Sequence, residues 1–157
     1  MKKPHLLITG AWLVHAIAWF VPVIHGGVTL PRGLPGWEAF RMAACSILPC
    51  SDSGTRAWYF TALSATSAIT TVLYILASPL IVRLGSRFTQ RVSAWIAAAA
   101  FLVNAHWFIL FGSDRWDLRI GYYLWWWSFA LLAAGFFELA RETEPTALAK
   151  SQSAGRV

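Results

Sequence analysis

Residues 57–82 read AWYFTALSATSAITTVLYILASPLIV, a run without a single Asp, Glu, Lys or Arg. A helix rises about 1.5 Å per residue, so roughly 20 apolar residues cross a hydrocarbon layer about 30 Å thick. This run is long enough to span. Its apolar residues are continuous and do not alternate at period two, which excludes a transmembrane β-barrel strand. Three further runs share the character: Leu6–Ile24, Val92–Phe111 and Ile120–Leu139, the last with Glu138 at its end. With 57% hydrophobic residues, 13% charged residues and a mean hydropathy of +0.54, the chain lies outside the soluble globular class. The expected fold is an all-α polytopic membrane protein, a four-transmembrane-helix bundle.

The runs divide the chain into one transmembrane domain over residues 1–142, with an outer loop at 25–56, and a flexible cytoplasmic tail at 143–157. Four spans put both termini and the loop between the second and third runs on one side. That side carries eight bases: Lys2, Lys3, Arg83, Arg87, Arg91, Arg141, Lys150 and Arg156. The other side carries five arginines, nearly balanced by Glu38, Asp52, Asp114 and Asp117. Arg83, Arg87 and Arg91 fall in one short loop, and short basic loops stay in the cytoplasm. Both termini are therefore expected inside. The net charge of +6 is accounted for by this asymmetry and calls for no nucleic-acid partner.

At the N-terminus, Lys2-Lys3, the apolar run and Ala16-Ile17-Ala18 also fit a cleavable secretory signal, which would leave three spans. Continuation of the run through Trp19–Ile24 to full membrane length favours a retained helix.

In the outer loop, Gly26-Gly27, Pro31, Gly33 and Pro35-Gly36 are turn chemistry, and no Gly or Pro follows until Pro49. A short helix fits that gap. Trp37, Phe40, Ala43, Ala44, Ile47 and Leu48 gather on one side, and Glu38 reaches Arg41 at i,i+3. The pattern predicts either an interfacial helix in the headgroup layer or a lid over the bundle. Cys45 and Cys50 flank its end; on the outer, oxidising side they are expected to form a disulfide, with thiol redox activity as the alternative.

Within the second run, Ser64, Ser67, Thr71, Tyr74 and Ser78 recur at three- and four-residue steps and form one stripe with Ala68. No ionisable residue accompanies it. Helix packing is the expected role and a translocation path the alternative. Asn104 shares a face with Ala97 and Ala100, where a neighbouring helix can approach and accept a hydrogen bond. Pro79 is expected near the inner end of its helix.

His15 and His106 are the intramembrane histidines, separated in depth by roughly 7 Å, so both could face one haem. Ala11, four positions before His15, resembles the spacing with which light-harvesting helices ligate bacteriochlorophyll; interhelical hydrogen bonding is the alternative. Phosphate loops, zinc-spaced His/Cys clusters and nucleophile elbows are missing from the sequence, and no catalytic or metal-ligating set is assigned.

Four spans with an outward cysteine pair resemble the quinone-linked thiol oxidases in architecture, but their motif has a two-residue cysteine spacing and a second pair, and Gly112–Arg119 has no cysteine. Trp19-Phe20-Val21-Pro22 and Leu34-Pro35-Gly36-Trp37-Glu38-Ala39-Phe40 resemble the opening third of small bacterial four-span inner-membrane proteins, a likeness that implies a bacterial plasma membrane and no activity. The sequence reads as a non-enzymatic membrane protein in the lipid bilayer, an accessory subunit of a larger complex or a self-associating bundle. A haem, bacteriochlorophyll or thiol redox protein and a small-molecule transporter are the alternatives.

Overall fold

The computed structural model describes residues 2–25, 33–48, 58–110 and 117–154, of which 110 and 143–154 are described as backbone only. The chain runs α1 (Lys3–Phe20), β1 (Pro22–Ile24), β2 (Leu34–Pro35), α2 (Gly36–Ala44), α3 (Trp58–Leu84), α4 (Arg87–Asn104), α5 (His106–Leu110) and α6 (Ile120–Ala154). It is a mostly helical protein. Three helical stretches are long and apolar enough to cross a membrane: Trp58–Leu84, Arg87–Ile109 and Ile120–Glu142.

The first apolar run departs from a single helix of membrane length. Pro22 has no N–H and holds the preceding residue in extended geometry, so α1 stops at Phe20 and Val21 takes φ −94° and ψ 156°. Residues 22–24 instead form a strand, antiparallel to Leu34–Pro35, with Pro22 opposite Pro35 and Ile24 opposite Leu34. The other edge of β1 is held by residues 117–119: His25 N–H donates to Asp117 O at 2.6 Å and Arg119 N–H to Val23 O at 2.7 Å. This small sheet ties the end of α1 to the start of α6. We call it the hairpin end of the bundle.

Helix α6 lies at the centre, packed against α1 on one side and α4 on the other. Small residues permit both approaches. At the α1 crossing, a Cβ on Gly135 would stand 2.6 Å from Ile8 Cγ1, and Ala11 is wholly buried. On α4 the buried face is Ala94, Ala97, Ala100 and Asn104. Tyr122, Phe129, Leu132 and Phe136 fill the interior from α6. Leu13, Ile17, Leu76, Leu80, Trp95 and Leu102 turn outward, as an apolar solvent requires.

Three features differ from the sequence expectation. Pro79 does not end its helix: α3 continues to Leu84, a kind of interior proline that membrane helices accommodate when surrounding groups satisfy the backbone. The basic loop around Arg83, Arg87 and Arg91 contracts to Gly85-Ser86, where Ser86 caps α4 by accepting the Thr89 N–H at 3.2 Å. The third span is interrupted at Ala105. Its N–H bonds Leu102 O, while Phe101 O, the helical acceptor four residues back, takes the Trp126 indole N–H at 2.7 Å. The backbone of residues 143–154 continues α6 as helix. Leu, Ala, Glu and Lys in that segment are good helix formers.

Candidate functional site

The hydroxyl stripe is the buried face of α3. Its buried residues are Ser64, Ser67, Ala68, Thr71, Tyr74 and Ser78. Three of the hydroxyls return to their own helix: Thr71 donates to Ser67 O at 3.0 Å, Ser78 to Tyr74 O at 2.7 Å, and the neighbouring Thr70 to Ser67 O at 2.9 Å. Indoles from other helices then use these oxygens as acceptors. Trp12 Nε1–H donates to Ser78 Oγ at 3.0 Å and Trp125 Nε1–H to Thr71 Oγ1 at 3.3 Å.

His15 stacks on Tyr74 with ring centroids 4.2 Å apart and lies edge-on to Phe129. Ser128 gives its hydroxyl proton to Trp125 O at 2.6 Å, so its oxygen accepts the His15 Nδ1–H at 2.9 Å. His15 Nε2 has no hydrogen-bond partner among the described residues. His106 opens α5, where its Nδ1 lies 2.8 Å from Val103 O and its ring tilts against Trp107. Among the described residues, the two histidines share no hydrogen-bond or ring partner. Among the described residues, no group of three His, Cys, Asp or Glu side chains is placed to hold a metal.

Asn104 is fully buried and donates from Nδ2 to Thr70 Oγ1 at 3.3 Å, which joins α4 to α3. Its carbonyl accepts the Tyr122 hydroxyl at 3.0 Å. Of the consecutive tryptophans, Trp125 and Trp126 turn inward to bond Thr71 and Phe101, whereas Trp127 is exposed.

Between α3 and the hairpin end lies a cavity of about 520 Å³. Helix α2 forms its roof with Ala39, Phe40, Met42 and Ala43; the walls include Trp19, Leu34, Phe60 and Trp107; Ser67, Thr71, Tyr122 and Trp125 line it from α3 and α6. Among the described residues, none of its lining side chains is charged. Helix α2 is held close by Gly36, where any Cβ would collide with the Ala18 carbonyl and Trp19 Cα, and by Phe40 packing on Trp19 at 5.3 Å. The wall is braced where Phe60 meets Trp107 edge-to-face at 5.2 Å.

The helix expected near Trp37 thus exists, but its apolar residues divide. Phe40 and Ala43 face the cavity, while Trp37, Ile47 and Leu48 are exposed. Glu38 and Arg41 form the expected pair at 3.6 Å. Cys45 is disulfide-bonded; Cys50 lies outside the described residues. Ser128 and most of the cavity lining escaped sequence reasoning. Such residues sit on different elements and show no common spacing.

Searches against protein-family models, curated proteins and solved structures found no match to this chain. The functional reading therefore rests on the geometry.

Proposed function

We propose that the chain is a non-enzymatic, four-span protein of a bacterial inner membrane that holds a small uncharged lipophile in its outer half, serving as an accessory subunit of a larger membrane complex or as a self-associating bundle. The cavity of about 520 Å³ carries this reading. Its size falls within the roughly 300–1,000 Å³ of small-molecule sites, and its aromatic lining with few polar groups is typical of them.

Helix α1 supplies the fourth span. Its 18 residues reach about 27 Å, close to the hydrocarbon thickness. The face turned away from α6 carries Leu6, Leu13, Ile17 and Phe20, all exposed, which suits lipid. Lys2 approaches Glu142 at 3.8 Å, so the start of α1 and the far end of α6 share one side, and the basic residues make that side cytoplasmic. Helix α2 then lies at the outer headgroup level, with Trp37 toward lipid and Phe40 over the cavity. Burial of the hydroxyl stripe against indoles supports packing in preference to a translocation path.

Organic extraction of protein purified in mild detergent, followed by mass spectrometry, tests the reading. A stoichiometric uncharged lipophile is expected, and it is lost in Ala43→Phe, which fills the cavity. An extract no richer than the detergent control would sink the proposal. Copurifying protein subunits, or a discrete oligomer of this chain alone, distinguish the two forms of association.

A further inference from the structure

The bilayer setting restricts what the cavity can select. Lipid tails are as apolar as its walls, so moving an alkyl chain from lipid into the cavity gains no hydrophobic free energy. Confinement also costs a flexible chain its rotamer freedom. Preference must come from contacts that hydrocarbon cannot supply, namely aromatic packing and a hydrogen bond.

Both are present. Trp19, Phe40, Phe60, Trp107 and Trp125 surround the space with ring faces and edges. The neighbouring polar groups are committed: Trp125 N–H to Thr71, Thr71 hydroxyl to Ser67 O, and Tyr122 hydroxyl to Asn104 O. Ser67 is different. It is only 3% exposed and lines the cavity, its carbonyl accepts from Thr70 and Thr71, and its hydroxyl makes no hydrogen bond among the described residues. That hydroxyl can donate to an oxygen entering the cavity, a hydrogen bond that hydrocarbon cannot supply.

We propose that the cavity selects an uncharged, ring-bearing lipophile whose hydrogen-bond-accepting oxygen is taken by the Ser67 hydroxyl. The proposal rests on the reading of the cavity as a ligand site. A charged ligand is disfavoured because, among the described residues, no lining side chain carries a compensating charge. Saturated acyl chains are disfavoured because they satisfy neither the rings nor the hydroxyl.

The test uses the full chain in phosphatidylcholine nanodiscs with two probes. Prodan is an uncharged naphthalene ketone whose emission moves to longer wavelength when its carbonyl accepts a hydrogen bond; diphenylhexatriene has rings but no acceptor. Saturable energy transfer from tryptophan to prodan is expected, with little saturable transfer to diphenylhexatriene. Ser67→Ala should weaken prodan binding about tenfold, a loss of roughly 1.4 kcal/mol, and shift its emission to shorter wavelength. Ser67→Thr, which keeps the hydroxyl, should restore the emission. Equal saturable binding of both probes, or unchanged affinity and emission in Ser67→Ala, overturns the ligand class while leaving a lipophile site. Saturable binding of neither probe overturns the site as well.

Discussion

His15 and Ser128, 113 positions apart in the chain, meet inside the bundle with Nδ1 and Oγ 2.9 Å apart. The bond joins the first helix to the last and fixes the imidazole tautomer, because the Ser128 proton is already directed to Trp125 O. The same histidine, a candidate haem ligand in the sequence, stacks on Tyr74.

Removing one side of this bond should cost more than removing both. Ser128→Ala leaves Nδ1 buried without an acceptor and should destabilise the bundle by about 1 kcal/mol, in the range of interhelical bonds in membranes. His15→Phe combined with Ser128→Ala should recover most of the loss. Denaturation curves in mixed micelles for the four-member cycle measure the coupling; strict additivity would refute it.

Asn104 should be dispensable for stability despite complete burial. Its bond to Thr70 is long at 3.3 Å, and its Oδ1 has no hydrogen-bond partner among the described residues. Asn104→Leu, which has similar volume, should fall within about 1 kcal/mol of the parent or be more stable. A loss well beyond that in the same denaturation assay would show that the amide has another role.

Close packing of α1 on α6 predicts an asymmetric rescue. Gly135→Ala should cost about 1–3 kcal/mol through overpacking, because the new methyl meets Ile8 Cγ1 at 2.6 Å. Adding Ile8→Ala should return part of that stability even though Ile8→Ala alone is destabilising. The sign of the interaction in the thermal midpoints decides.

Reduction of the disulfide at Cys45 should loosen the cavity roof without unfolding the bundle. Cys45 follows directly on α2, which is also held by Gly36, by the Phe40–Trp19 contact and by packing on α3. Cys45→Ser should lower the opening free energy of α2 by up to about 2 kcal/mol, read as faster amide exchange there and unchanged exchange in α6. Equal acceleration in both helices would argue against a separately hinged roof.

Orientation is testable without altering the fold. If the proposed orientation holds, with Arg83, Arg87 and Arg91 on the cytoplasmic side, a green fluorescent protein fused after Val157 should fluoresce and alkaline phosphatase at the same place should be inactive. The opposite reporter pattern would invert the cavity to the inner leaflet.

What could be read along the chain was local. The stripe from Ser64 to Ser78 repeats every three or four residues, so its burial as one face followed from helical geometry alone. The Glu38–Arg41 pair followed in the same way. The shortening of α1 was signalled by Pro22, but the apolar residues after it are equally suited to a helix and to the strand that they form. The interruption at Ala105 was not legible, because its cause, the Trp126 indole on Phe101 O, comes from another helix.

By itself, then, the sequence determined an apolar helical protein of the membrane class and the face that α3 buries, since length, hydropathy and a 3.6-residue period are properties of neighbouring residues. Tertiary structure alone decided that His15 meets Ser128 instead of His106, and that α2, the hairpin and three long helices enclose a cavity with Ser67 on its lining. Those outcomes depend on which residues from distant parts of the chain come within a few ångströms, and that depends on how whole helices pack.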